Sequence, residues 1–122
     1  MNNEPFFDPT LDFNFGRFLL KQGRLDESLA HINRAIELFP DRRGPRYERA
    51  KLRLARSDFQ AAREDAERAL ALGRPGDMVL DLQIYYLLTT IYTRLGESEI
   101  AEKYAQLARE AEIPEHNKDR QR

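Results

Sequence analysis

Cysteine is absent from the 122 residues. That excludes a disulfide, a thiolate zinc site, an iron–sulfur centre and a thiol nucleophile, and the expected compartment is the cytoplasm. Long apolar runs are missing too. No stretch approaches the ~20 residues a bilayer span requires, and the mean hydropathy is −0.72. Met1-Asn2-Asn3-Glu4-Pro5 has no basic stretch followed by an apolar one, so no secretory leader is expected. An excess of one charge is also lacking. Lys and Arg number 20 against 21 Asp and Glu, a net charge of −1. The global basic field of a typical nucleic-acid binder is therefore not there. Strand-type alternation occurs nowhere over a useful length.

Catalytic signatures are equally scarce. The chain has no glycine-rich phosphate loop, no nucleophile elbow and no metal-ligand spacing. His31 and His116 are far apart in sequence. His31 falls on the polar side of its helix and His116 in the tail, so both are expected to be solvated. Asp26, Glu27, Glu97 and Glu99 sit where first helical turns are expected, and acids there complement the helix dipole. Glu64 and Asp65 interleave with Arg63 and Arg68 as an ion-pair face. None of these carboxylates requires catalysis to explain it. No enzyme activity, catalytic residue, metal, cofactor or small-molecule substrate is expected.

What is present is a repeat. Gly23, Ser57 and Gly96 each open the same punctuation and stand 34 and 39 residues apart. Each is a turn residue followed by a helix start and by small residues at matching positions. The larger spacing places about five extra residues before the third copy. Amphipathic segments precede each turn at Leu11–Gln22, Arg46–Arg56 and Met78–Leu95, and another follows each. Leu25, Leu29, Ile32, Ala35, Ile36 and Phe39 recur at steps of three and four, the mark of one buried helix face. Phe59, Ala62, Ala66, Ala69 and Leu70 repeat it, as do Ile100, Ala101, Tyr104, Leu107, Ala108 and Ala111. Asp8-Pro9 reads as a cap with proline in the first turn, and Gly44-Pro45 opens the third helix. Ser57-Asp58-Phe59-Gln60 fits a capping box. Phe39-Pro40-Asp41 and Gly73-Arg74-Pro75-Gly76 stop helices. The expected fold is all-α: six helices in three antiparallel hairpins forming one domain over residues 9–115. Its units lie at about 9–42, 43–76 and 82–115, with frayed termini at 1–8 and 116–122.

A helix–turn–helix unit of this length with these small positions resembles the tetratricopeptide repeat. The first copy matches at Phe15-Gly16, Gly23, Leu25, Ala35 and Pro40, with Ser28 where the family has alanine. The second matches at Ala50, Phe59, Ala62 and Ala69, and departs at Arg49, Arg53 and Ser57. The third matches at Leu88, Tyr92, Gly96, Ala101, Ala105 and Ala108. There Ser98 replaces an aromatic, and Pro114 falls one residue late. The resemblance implies an α-solenoid of three stacked hairpins wound as a right-handed superhelix. It also implies a non-catalytic adaptor or scaffold, whose first helices line a concave groove for an extended or helical segment of another protein.

The repeat register aligns the stripe that would line such a groove. It carries Phe13, Tyr47 and Tyr86, then Arg17, Lys51 and Thr90, then Lys21, Ala55 and Arg94. Three residues before the aromatics stand Thr10, Gly44 and Gln83. The stripe holds four cations and no acid, which would attract an acidic segment over rigid rings. The candidate partner-binding residues are therefore Phe13, Arg17, Lys21, Tyr47, Lys51, Tyr86, Thr90 and Arg94, with Arg17, Lys51 and Arg94 expected in one groove. Two other readings remain open. The 78–95 helix, apolar almost all round, and Phe6/Phe7 would join copies of a self-assembling protein. The row Arg42, Arg43, Arg46, Arg49, Arg53 and Arg56 would hold nucleic-acid phosphate, or pair with Glu48, Glu64, Asp65 or Glu67. A monomer is expected, with a homodimer as the alternative. The last helix supports this, because its outward set, Glu99, Glu102, Lys103, Gln106, Arg109 and Glu110, is polar.

Overall fold

Apolar residues at steps of three and four need a facing helix, and six such segments close on one another in pairs. The computed structural model describes residues 9–73 and 79–112. The helices are α1 (Pro9–Lys21), α2 (Leu25–Leu38), α3 (Arg43–Ala55), α4 (Phe59–Leu72), α5 (Asp81–Arg94) and α6 (Ser98–Ala111). No strand occurs among the described residues. α1 packs on α2, α3 on α4 and α5 on α6, and each hairpin leans on the next. The chain is thus an all-α solenoid of stacked hairpins. Asp8, Phe6, Phe7, Arg74-Pro75-Gly76, Met78, Pro114 and His116 lie outside the described residues.

The three hairpin turns are built alike. Gly23, Ser57 and Gly96 all have positive φ, at 77°, 63° and 79°. In each turn the next residue's N–H bonds five residues back: Arg24 to Leu19 O, Asp58 to Arg53 O and Glu97 to Tyr92 O, each at 2.9 Å. This is the Schellman stop, which satisfies carbonyls the helix end leaves open. The capping box expected at Ser57 is therefore replaced. Ser57 occupies the left-handed position, and Asp58 is the N-cap, accepting the Ala61 N–H at 3.4 Å.

Small residues set how close each hairpin closes. Gly16 faces α2, and a Cβ there would stand 2.9 Å from Ile32 Cγ1. Ser28 is fully buried, and its hydroxyl donates to the Gly16 carbonyl at 2.7 Å. The serine at the family's alanine position thus spends its one donor on a carbonyl. Ala62, Ala69, Ala101 and Ala108 are all buried, as their spacing requires.

Two cores result. The larger spans the second and third hairpins and holds Ala50, Ala62, Ala66, Ala69, Val79, Ile84, Leu87, Leu88, Ile91, Tyr92 and Ala101. The smaller joins α2 to α3 through Ile32, Ile36 and Leu52. α5 begins only at Asp81, with Gln83 accepting the Leu80 N–H at 2.8 Å, so the extra residues before it do not lengthen it. Nor is it buried on every side, although the 78–95 segment reads as apolar almost all round. Ile84, Leu87, Leu88, Ile91 and Tyr92 are buried, whereas Tyr86, Thr90, Thr93 and Arg94 are exposed.

Arg43 fastens the junction between the second and third hairpins. Its side chain is wholly buried. Nε donates to Ala69 O and Nη2 to Leu70 O, both at 3.0 Å, and Nη1 to Val79 O at 3.2 Å. Nη1 also pairs with Asp81 Oδ1 at 2.8 Å. One guanidinium therefore ties the end of α4, the strap before α5 and the first residue of α5.

Candidate functional site

The stripe read from the repeat register lies on α1, α3 and α5. Arg17 of α1 and Lys51 of α3 come together, and they do so on an acid. Arg17 Nε stands 3.4 Å from Glu48 Oε2, and Lys51 Nζ 3.0 Å from Glu48 Oε1. Glu48 is buried at 4% side-chain exposure, while Arg17 and Lys51 are 45% and 36% exposed. The acid lies at the floor and the two cations rise from it, leaving one net positive charge. Each cation also rests over the ring one turn earlier. Arg17 is 5.8 Å from the Phe13 centroid, and Lys51 Nζ is 4.9 Å from that of Tyr47.

Tyr47 is half-buried between repeats. Burial, then the charge of Glu48, pushes its phenol above its usual pKa, against a hydrogen bond from Gln83 of α5 and the charge of Arg17. This phenol therefore bonds to a group from α5 and feels the charges of α1 and α3. Tyr86 is exposed. A hydrogen bond to the Glu112 carboxylate is the main cause of its raised pKa. Thr90 donates to the Tyr86 carbonyl at 3.3 Å and is exposed. Lys21 is exposed on the last turn of α1. Arg94 does not join the Arg17–Glu48–Lys51 cluster. Its guanidinium stands over the Phe59 ring at 5.7 Å, by the start of α4.

Sequence reasoning left two acids off this face: Glu48, which it gave to the arginine row, and Glu112. Glu48 is one residue out of the stripe's register, but it precedes Lys51 by three, and that spacing on a helix was the available signal. The arginine row resolves into ion pairs. Arg49 forms a fork with Asp65 at 2.8 Å through both Nε and Nη2, and its Nη1 reaches Asn33 of α2 at 2.9 Å. Arg53 joins the same Asp65 at 2.8 Å, and Arg56 pairs with Asp26 of α2. Arg46 keeps a buried Nε without an acceptor, and burial followed by the charge of Arg49 lowers its pKa. The row is mostly committed to acids of its own chain. His31 is half-buried rather than solvated, edge-on to Phe15 with centroids 4.8 Å apart.

Among the described residues no three His, Asp or Glu side chains group so as to hold a metal, and no helix is long and apolar enough to cross a membrane. A family model described as the tetratricopeptide repeat matches residues 13–42. No curated protein matches the chain. Among solved structures it is similar to YrrB, described as a TPR protein with an unusual peptide-binding site, at a TM-score of 0.75 and 24% identity. The match covers 84% of this chain and 50% of that one, so the chain spans about half the length of the structure it resembles.

Proposed function

We propose that this chain, which folds as a tetratricopeptide repeat protein, is a non-catalytic adaptor whose concave groove holds an acidic segment of another protein. The fold supports a protein-interaction role in general. The finer reading rests on one observation: Arg17 and Lys51 converge from successive first helices above a buried Glu48. Glu48 fixes the two cations in place before any partner arrives, so less side-chain freedom is lost on binding. Phe13 and Tyr47 lie beneath them as rigid contact area. Tyr86 extends the platform onto α5, and Lys21, Thr90 and Arg94 border it. Helices stack ~10 Å apart, and an extended peptide rises ~3.3 Å per residue. An acid at every third residue would therefore meet a new helix. The module is read as residues 9–115, cytoplasmic and monomeric.

The test follows from Glu48. Reversing both charges would crowd two carboxylates against the buried Glu48 and unsettle the fold. Arg17→Gln with Lys51→Gln removes the charge and keeps hydrogen bonds to Glu48. The probe is a fluorescein-labelled peptide with glutamate at every third position around leucine. The double variant is expected to bind it at least tenfold more weakly and to stay folded by circular dichroism at the assay temperature. Its melt should be lower, because the buried Glu48 loses both cations. Binding should also fade with salt, since partly exposed charges are screened within ~8–10 Å. Equal binding by the double variant and the parent rejects the groove.

A further inference from the structure

The two ends of the solenoid are finished differently. At the α6 end, Arg109 Nη2 donates to Glu102 at 2.8 Å and to Gln106 at 2.7 Å, covering the outer face with paired polar groups. The matching face of α4 is where α5 seats, and there Glu67 accepts the Tyr92 hydroxyl. Among the described residues no such polar cover exists at the α1 end. Phe15 and Phe18 stack with centroids 6.2 Å apart and planes 10° from parallel, and they are 45% and 51% exposed.

The repeat register says what this face is shaped for. Phe15 aligns with Arg49 and Leu88, and Phe18 with Leu52 and Ile91. Arg49 reaches back to Asn33 of the preceding hairpin's second helix. Leu52 is sealed in one core with Ile32 and Ile36 of that helix. Leu88 and Ile91 are sealed with Ala62, Ala66 and Ala69 of α4. In two of three hairpins, then, these positions form the seat for a second helix of the hairpin before. In the first hairpin the seat is present and bears aromatic rings.

The geometry points to a docking site on α1 for an amphipathic helix of a partner protein, lying where a preceding hairpin's second helix would lie. The partner helix should resemble α4, with small residues at i, i+4 and i+7, as Ala62, Ala66 and Ala69 are placed. Alanines on the helix leave room for the bulk of two phenylalanines on the seat. A second copy fits less well. Head-to-tail stacking would set Phe15 and Phe18 on Glu102, Gln106 and Arg109.

The chain has no tryptophan, so Phe18→Trp gives a single fluorescent reporter at the face. The probe is a lactam-stapled peptide with the sequence of residues 59–72, titrated into the full chain. The expected result is a saturable blue shift, absent with a scrambled stapled peptide of the same composition. Adding Phe15→Asp should weaken it at least tenfold, with the thermal melt unchanged. If that variant melts early, Phe15→Gln takes its place with the same expectation. No shift with the peptide, or equal binding by the Phe15 variant, overturns the proposal. A blue shift that grows with protein concentration alone overturns it in favour of a second copy. Emission that is blue from the start and moves red on Phe6→Ser with Phe7→Ser overturns it in favour of the chain's own leading residues.

Discussion

At the scale of single residues, Ser57 sits in a backbone conformation that its repeat equivalents reach with glycine. A side chain in the left-handed region costs roughly 1–2 kcal/mol from contact between Cβ and the carbonyl, and Ser57 has φ 63°. Glycine removes that strain but gives back part of it as unfolded-chain entropy. Ser57→Gly is therefore expected to raise stability by about 0.5–1 kcal/mol, read as a higher urea midpoint with an unchanged slope. Gly23→Ala and Gly96→Ala should lose a similar amount, because a Cβ at either glycine meets nothing within 4 Å and only the backbone is strained. A lower midpoint for Ser57→Gly would mean that the hydroxyl contributes more than the strain costs. The residue types alone did not reveal this. Ser-x-x-Gln satisfies a capping pattern locally, yet the neighbouring Asp58 caps and the serine turns. Only the alignment with Gly23 and Gly96 carried the correct assignment. Glu48 escaped for a similar reason, because a stripe drawn at one register omits the residue beside it.

At the scale of elements, helix existence and pairing were legible because a 3.6-residue apolar rhythm needs a facing partner, and short turns leave only the neighbouring segment to supply it. Contacts that cross between hairpins were not legible. Arg43 read as one more arginine in a row, whereas it is the member with no exposure. Its partners are three backbone carbonyls, and carbonyls have no sequence signature. Asp81 is the one partner with a side chain to notice. Removing the guanidinium leaves three carbonyls without their donor at a buried junction and Asp81 without its partner. Arg43→Met should cost about 3–5 kcal/mol, the range for breaking a buried ionic group. Arg43→Lys should recover little, since an ammonium cannot present the fork that meets α4 and the strap together. Asp81→Asn should cost under about 1 kcal/mol, because the Asp81 side chain is half exposed. Urea denaturation of the three variants checks the order. A loss below 1 kcal/mol for Arg43→Met would show that the junction holds without it.

At the scale of the whole molecule, a solenoid's stability is a sum of hairpins and of the interfaces between neighbours. These interfaces are unequal. The second and third hairpins share the larger buried cluster, the Arg43 clamp and the Tyr92–Glu67 hydrogen bond. Burial, then the bond to Glu67, pushes the Tyr92 phenol up to about 12, so this junction keeps a neutral, bonded tyrosine throughout the ordinary pH range. The first hairpin meets the second through the smaller cluster, the Arg49–Asn33 bond, the surface pair Arg56–Asp26 and the Arg17–Glu48 contact. Its outer face, with Phe15 and Phe18 exposed, has no helix among the described residues to complete it. The first hairpin should therefore open before the rest. Native-state hydrogen exchange is expected to show the core amides of α1 and α2 exchanging on the order of tenfold faster than those of α4 and α5, through an opening smaller than global unfolding. Arg17 belongs to that hairpin, so half of the cation pair above Glu48 rides on the least stable unit. A segment bound across α1 and α3 would have to hold it closed. Exchange in α1 and α2 should then slow when the acidic peptide is present, while α5 and α6 stay as they were. Uniform protection across all six helices would show a single cooperative unit and would remove the coupling between groove occupancy and order in the first hairpin.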